Sequence, residues 1–178
     1  FILIIILFSL GNSSDTFLIL KAKETGIAIK LLPLLWLFHN AAKMIISIPA
    51  GILSDKIGRI KTIIPGWFIY FIVYIWLAFI KHPYEIWIVF LIYGLYFGFV
   101  EGAEKALISE LVPKNLFGTA YGIYNFATGI SYLPASIIFG LLWTKFGSTT
   151  AFLFGGFLAF VASILLLKFL YKSSKNKT

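Results

Sequence analysis

The chain has 178 residues, a formal charge of +8, no cysteine, 60% hydrophobic and only 12% charged residues, with a mean hydropathy of +0.96. A soluble domain of this length needs far more polar surface, and the lack of cysteine removes disulfide frameworks and thiolate metal sites. Nucleic acid is not required to explain the basic balance, because the bases sit in short joints and the tail, where lipid headgroups and the positive-inside rule account for them.

Runs of about 20 apolar residues cross a hydrocarbon layer of about 30 Å as helices, since backbone groups in lipid must pair internally. The alternating ten-residue segments of a barrel are not present. Six helices are predicted, at about 1–22, 28–53, 62–81, 85–111, 115–144 and 148–171, so the fold class is an all-α membrane protein. The opening "FILIIILF" begins at Phe1 with no basic n-region or cleavage pattern, which implies a fragment whose upstream part is missing, while "KSSKNKT" reads as a natural polar end.

An ionisable side chain at mid-helix costs about 2.5–3.5 kcal/mol on the insertion scale, against about 0.3–0.6 gained per Leu, Ile or Phe. Such a residue should face a cavity or a partner. In the first crossing Ser9, Asn12 and Thr16 fall on one stripe at i, i+3 and i+7 with Asp15 beside them. The stripe reads either as hydrogen-bonding glue between helices or as a cavity lining, and Asp15 favours the cavity because a bare carboxylate costs more than a hydroxyl. The second crossing sets Trp36, Asn40, Lys43 and Ser47 on one face. Lys43 lies about eleven residues, roughly 16 Å of rise, from the Asp55 end, so it is expected to face a cavity with an anionic partner or ligand. His39 reads as a packed, hydrogen-bonded residue rather than a proton carrier.

The joint after it is "AGILSDKIGRIK", residues 50–61. Gly51 is expected to admit a close neighbour and Gly58 to supply the positive dihedral of a tight reversal, with Asp55 pairing Arg59 or receiving hydrogen bonds from a helix N-terminus. The third and sixth crossings hold no mid-depth charge and are assigned to lipid-facing support. In the fourth, Glu101 precedes Lys105 by four residues, the favourable order for an in-helix pair. Glu104 is then either the surplus carboxylate for proton coupling or for meeting Lys43, or a solvated group near the interface with Glu110. Gly94, Gly98 and Gly102 imply close backbone packing. The fifth crossing carries Tyr121, Asn125, Thr128 and Tyr132 on one face, with Gly118, Gly122 and Gly129 beside it for close approach and Pro134 to permit bending.

The segment "GILSDKIGRIK" resembles the Gly-x-Leu-x-Asp-Arg-x-Gly-Arg-Lys signature of the major facilitator superfamily, with Lys56 at the first arginine and Ile60 where a base is common. "LGNSSDTFLILKAKETG" and "EGAEKALISELVPKNLFGTAYGIYN" also resemble stretches in the carboxyl half of prokaryotic members, in order along the chain. The resemblance implies the carboxyl-terminal six-helix half, residues 1–178, of a twelve-helix transporter that works by alternating access. It further implies that the joint with Gly51, Asp55, Gly58 and Arg59 is a conformational latch bracing a helix end of the missing amino-terminal half.

The expected activity is passage of a small solute, proton-coupled through Asp15 and Glu104 or facilitated, as a secondary transporter or efflux protein. Candidate cavity residues are Asn12, Asp15, Asn40, Lys43, Glu101, Glu104, Tyr121 and Asn125. No cofactor, metal or catalytic residue is expected: no Gly-x-Ser-x-Gly elbow, His-Glu-x-x-His motif or paired aspartates on facing helices occurs. The alternative is a self-contained six-helix homodimer acting as a channel or scaffold. With both ends on one side, Lys56, Arg59, Lys61, Lys114, Lys168, Lys172, Lys175 and Lys177 outnumber Lys21, Lys23, Lys30, Lys81 and Lys145 eight to five, which places the carboxyl terminus in the cytoplasm of a bacterial or archaeal cell.

Overall fold

The computed structural model describes residues 1–175, with side chains as far as Tyr171. Lys172, Lys175 and Lys177 of the predicted cytoplasmic tail, as side chains, lie outside the described residues. Six segments are long and apolar enough to span a membrane, built from seven helices: α1 Ile2–Gly11, α2 Thr16–Glu24, α3 Leu32–Ile57, α4 Arg59–Phe79, α5 Pro83–Glu110, α6 Phe117–Phe146 and α7 Ser148–Lys175. Among the described residues there is no strand.

The first crossing differs from its predicted form. It is two half-helices, α1 and α2, separated at Asn12–Asp15. Gly, Asn, Ser and Asp are poor helix formers because short polar side chains compete for the backbone, and "GNSSD" strings five such residues together. The stripe therefore does not persist: Ser9 and Asn12 are buried while Thr16 is exposed.

The joint is also tighter than the sequence implied. Helices α3 and α4 absorb all of residues 54–61 except Gly58, whose φ of 100° lies in the left-handed region. That reversal requires a residue without Cβ.

In the bundle α5 lies between α3 and α4, α4 packs on α7, and α1 is held by α6 and α7. The core is aromatic, with Trp67, Tyr70, Tyr74, Phe90, Tyr93, Phe139 and Phe152 fully enclosed. Assigning the third crossing to lipid-facing support is thus incorrect for α4. It buries 56% of its most apolar stretch, whereas α3 buries 11%. Its lack of a mid-depth charge reflects a position inside the bundle, not contact with lipid alone.

Glycine contacts divide the expected close approaches. A Cβ at Gly94 would lie 2.5 Å from the His39 carbonyl oxygen and 2.8 Å from Ala42 Cβ, and one at Gly98 would overlap Ile46, so α3 and α5 do press together there. A Cβ at Gly51, Gly102, Gly118, Gly122 or Gly129 meets nothing within 4 Å. Those five lie on uncovered faces, which corrects the expectation of close packing at each. An approach the sequence reading missed joins α1 to α7, where a Cβ at Gly11 would lie 2.8 Å from the Gly155 carbonyl oxygen.

Gly94→Ala should therefore lower stability by about 1–3 kcal/mol, because backbone of α3 cannot yield to the added methyl. Gly102→Ala should be neutral or stabilising by up to about 1 kcal/mol from helix propensity. Thermal unfolding of the two variants in detergent checks the contrast.

Candidate functional site

The interruption of the first crossing leaves backbone groups that lipid cannot satisfy, and three neighbouring helices supply partners. The Tyr70 hydroxyl from α4 donates to the Gly11 carbonyl at 3.0 Å. The Ser14 N–H donates to Ser136 Oγ of α6 at 3.2 Å. The Tyr93 hydroxyl from α5 donates to Asp15 Oδ1 at 2.7 Å. Ser14 Oγ accepts the Thr16 N–H at 3.3 Å, just ahead of α2. Asn12, Ser13, Ser14 and Asp15 line a cleft of about 330 Å³ with Phe97, Tyr132 and Ser136.

A second locus lies between α3 and α5. Lys43 Nζ is 2.6 Å from Glu101 Oε2, and Glu101 Oε1 is 3.0 Å from Lys105 Nζ. Glu101 thus serves two cations, one within its own helix as expected and one across to α3. Lys43 also stands 5.0 Å from the centre of the Phe97 ring, a cation–π distance. The Tyr121 hydroxyl donates to the Lys105 carbonyl at 2.9 Å, bringing α6 to the group. A cleft of about 250 Å³ runs beside it, lined by Ser47, Gly51, Gly98, Glu101, Gly102 and Lys105, so Gly51 and Gly102 leave space where side chains would fill it.

Glu104 forms a third locus. It does not meet Lys43, and it is not solvated: it is 7% exposed, accepting from Trp67 Nε1 at 3.1 Å and from the Tyr124 hydroxyl at 2.6 Å. Two neutral donors hold it, in place of the Lys43 contact and of the solvated position that two of the sequence alternatives gave it. Asn40 stays apart, its Nδ2 donating to its own helix at the Trp36 carbonyl at 2.8 Å. Asn125 is exposed on α6, and Thr128 returns its hydroxyl to the Tyr124 carbonyl at 2.9 Å. The eight predicted cavity residues therefore do not form one pocket.

At the joint, Arg59 Nη1 bonds Asp55 Oδ1 and, at 3.2 Å, Ser54 Oγ. Its Nε donates to Glu110 Oε1 at 2.8 Å. The guanidinium fork ties the ends of α3, α4 and α5 within this bundle, so Glu110 is a partner of Arg59 and not merely solvated. At the other end of the bundle Lys21, counted above with a joint, lies inside α2 and is 5% exposed, bonding Ser148 Oγ at 2.9 Å with Glu24 3.4 Å away.

Sequence reasoning missed Trp67, Tyr70, Tyr93 and Tyr124, which hold Asp15, Glu104 and the interrupted backbone. A usable signal was present, because Trp and Tyr belong at membrane interfaces and a hydroxyl or indole N–H placed far from one needs a buried acceptor.

The family model of the Major Facilitator Superfamily matches residues 1–178. The chain belongs to the major facilitator superfamily. Its relatives in this superfamily include an uncharacterized MFS-type transporter of Methanocaldococcus jannaschii, 36% identical over 94% of this chain and 43% of the relative. The multi-drug resistance efflux pump PmrA of Streptococcus pneumoniae is 36% identical over 67% of this chain and 30% of the pump. An uncharacterized transporter of Buchnera aphidicola is 30% identical over 78% of this chain and 35% of its own length. The chain thus spans less than half the length of the relatives it matches. Members of the superfamily are transporters and not enzymes, and the six apolar helices make this chain a multi-pass membrane protein of that class.

The hydrogen bonds to Glu104 carry an energetic expectation. Tyr124→Phe leaves a buried carboxyl oxygen short of its donor and should cost about 1–3 kcal/mol. In a Glu104→Leu background the same change should be close to neutral. A double-mutant cycle read by thermal unfolding measures that coupling.

Proposed function

We propose that this chain forms the carboxyl-terminal six-helix half of a secondary transporter that moves a small solute by alternating access, against an amino-terminal half of the same protein. The observation that carries this reading is the pairing of uncovered faces with groups that lipid disfavours. Lys43, Glu101 and Lys105 are each between a third and just over half exposed, Gly51 and Gly102 line the open cleft beside Glu101 and Lys105, and Asn125 is exposed on α6. Ionised groups at that depth are tolerated beside a watery route, and interrupted helices in transporters line such routes.

Within this reading Asn12 and Asp15 at the interruption, with Asn40, Lys43, Glu101, Tyr121 and Asn125, border the solute path. Glu104, enclosed by neutral donors and paired to no base, carries the coupling proton. Efflux is the direction we assign, following the printed name of the streptococcal relative. Gly51, Asp55, Gly58 and Arg59, with Glu110, form the latch that holds one gating state. The ends of α3, α5 and α7, with Lys56, Arg59, Lys61, Lys114 and Lys168, face the cytoplasm of a prokaryotic cell. No observation separately favours a homodimeric channel or scaffold.

The full-length transporter in vesicles with an imposed pH gradient tests the reading. Glu104→Gln should abolish the dependence on the gradient, and Lys43→Ala should lower solute flux by about tenfold or more; flux equal to wild type in both variants sinks the assignment. Because the chain has no cysteine, single introduced ones report topology. An impermeant thiol reagent should label His82→Cys from outside the cell and Lys114→Cys only after permeabilisation.

A further inference from the structure

The carboxylate of Asp15 presents a problem that Glu101 and Glu104 do not share. It is half-buried within a crossing, and among the described residues it has one hydrogen-bond donor, Tyr93, and no ion-pair partner. Lys43, the lysine of α3 at mid-helix, is already committed to Glu101 at 2.6 Å. A carboxylate at this depth needs a compensating charge.

Besides the nearby bases His39 and Lys43, the polar groups that line the cleft at the interruption all offer oxygens. Ser13 Oγ lines the same cleft, belongs to a residue 4% exposed, and has no hydrogen-bond partner. Asn12 Oδ1 lies 3.4 Å from a Tyr70 hydroxyl that gives its proton to the Gly11 carbonyl at 3.0 Å. The Tyr74 hydroxyl, fully enclosed, lies beside Ser13 and Tyr70 without a hydrogen bond of good geometry to either. Its ring edge lies beside the break, since a Cβ at Gly155 would be 2.8 Å from Tyr74 Cε1 and 2.7 Å from the Gly11 carbonyl oxygen.

We propose that the Asn12–Asp15 interruption binds a small hard monovalent cation of the sodium class, held by the Asp15 carboxylate, Ser13 Oγ and Asn12 Oδ1. An all-oxygen set with one negative charge suits an alkali ion, and unwound backbone inside a crossing is where transporters coordinate such ions. The inference rests on the transport reading only for what the ion does there: Asp15 takes the alkali cation, which leaves Glu104 as the proton carrier.

The test uses the purified full-length protein at fixed pH and ionic strength, with sodium chloride exchanged for potassium or choline chloride. Sodium should raise the thermal midpoint saturably by several degrees, and potassium and choline should not. Asp15→Asn should lose the sodium-specific rise, and Ser13→Ala should raise the half-saturating sodium concentration roughly tenfold or more. Tyr74→Phe guards against misfolding, because removing an unpartnered buried hydroxyl should leave stability in choline unchanged or higher. No sodium-specific shift in the wild type overturns the proposal, as does an equal shift in Asp15→Asn, a response to protons alone, or one to an organic ammonium solute and not to sodium. Solute flux with no sodium-specific thermal shift would remove the site and leave transport standing; sodium stabilisation of a protein that moves no solute would do the reverse.

Discussion

Backbone hydrogen bonding inside a membrane governs this molecule. A peptide group without a partner costs several kcal/mol in hydrocarbon, so an interruption at mid-crossing survives only where other helices answer it. Here the peptide groups are answered from α4 and α6 through Tyr70 and Ser136, and the Asp15 carboxylate from α5 through Tyr93. Those contacts fix where the helices sit around the first crossing, and they explain an aromatic core in which Tyr70 stacks on Tyr74 with ring centres 4.1 Å apart. Tyrosine suits the task because its ring fills apolar space while its hydroxyl reaches a polar group.

The same constraint sorts the charged residues. Glu101 sits between two lysines on the uncovered side, Glu104 is enclosed by an indole and a phenol, and Asp15 has one phenol and a ring of unassigned oxygens. Three carboxylates within one bundle thereby acquire three environments: an ion cluster with two lysines, a sealed polar pocket and a partly open cleft. Roles that look interchangeable in composition are separated by which neighbour each carboxylate faces.

The ends of the bundle are tied by different chemistry. Arg59 joins Asp55 and Glu110 where α3, α4 and α5 meet, and the Lys21, Ser148 and Glu24 group fastens α2 to the start of α7. Between them, Gly11 against Gly155 and Gly94 against α3 let backbones meet at mid-depth. The first crossing is thus tied at the α2 end to α7 and packed through α1 against α7, with its interruption at Asn12–Asp15 between the two.

Much of this was legible in the residues alone. Apolar run lengths determined six crossings, because a bilayer accepts only helices of that length. The "SDKIGR" segment identified the reversal at Gly58, because a positive φ there admits glycine. The in-helix pair of Glu101 and Lys105 followed from their spacing. What the sequence could not decide was which faces meet. Gly51, Gly118, Gly122 and Gly129 have the composition of close contacts yet an added Cβ there meets nothing among the described residues, and α4, without a mid-depth charge and therefore taken for lipid support, buries the largest share of its apolar stretch. Nor did the stripe of Ser9, Asn12 and Thr16 show that its helix would stop midway. A lone apolar helix gains nothing by unwinding, and the break becomes favourable only once tyrosines from helices distant in sequence are brought within hydrogen-bonding reach.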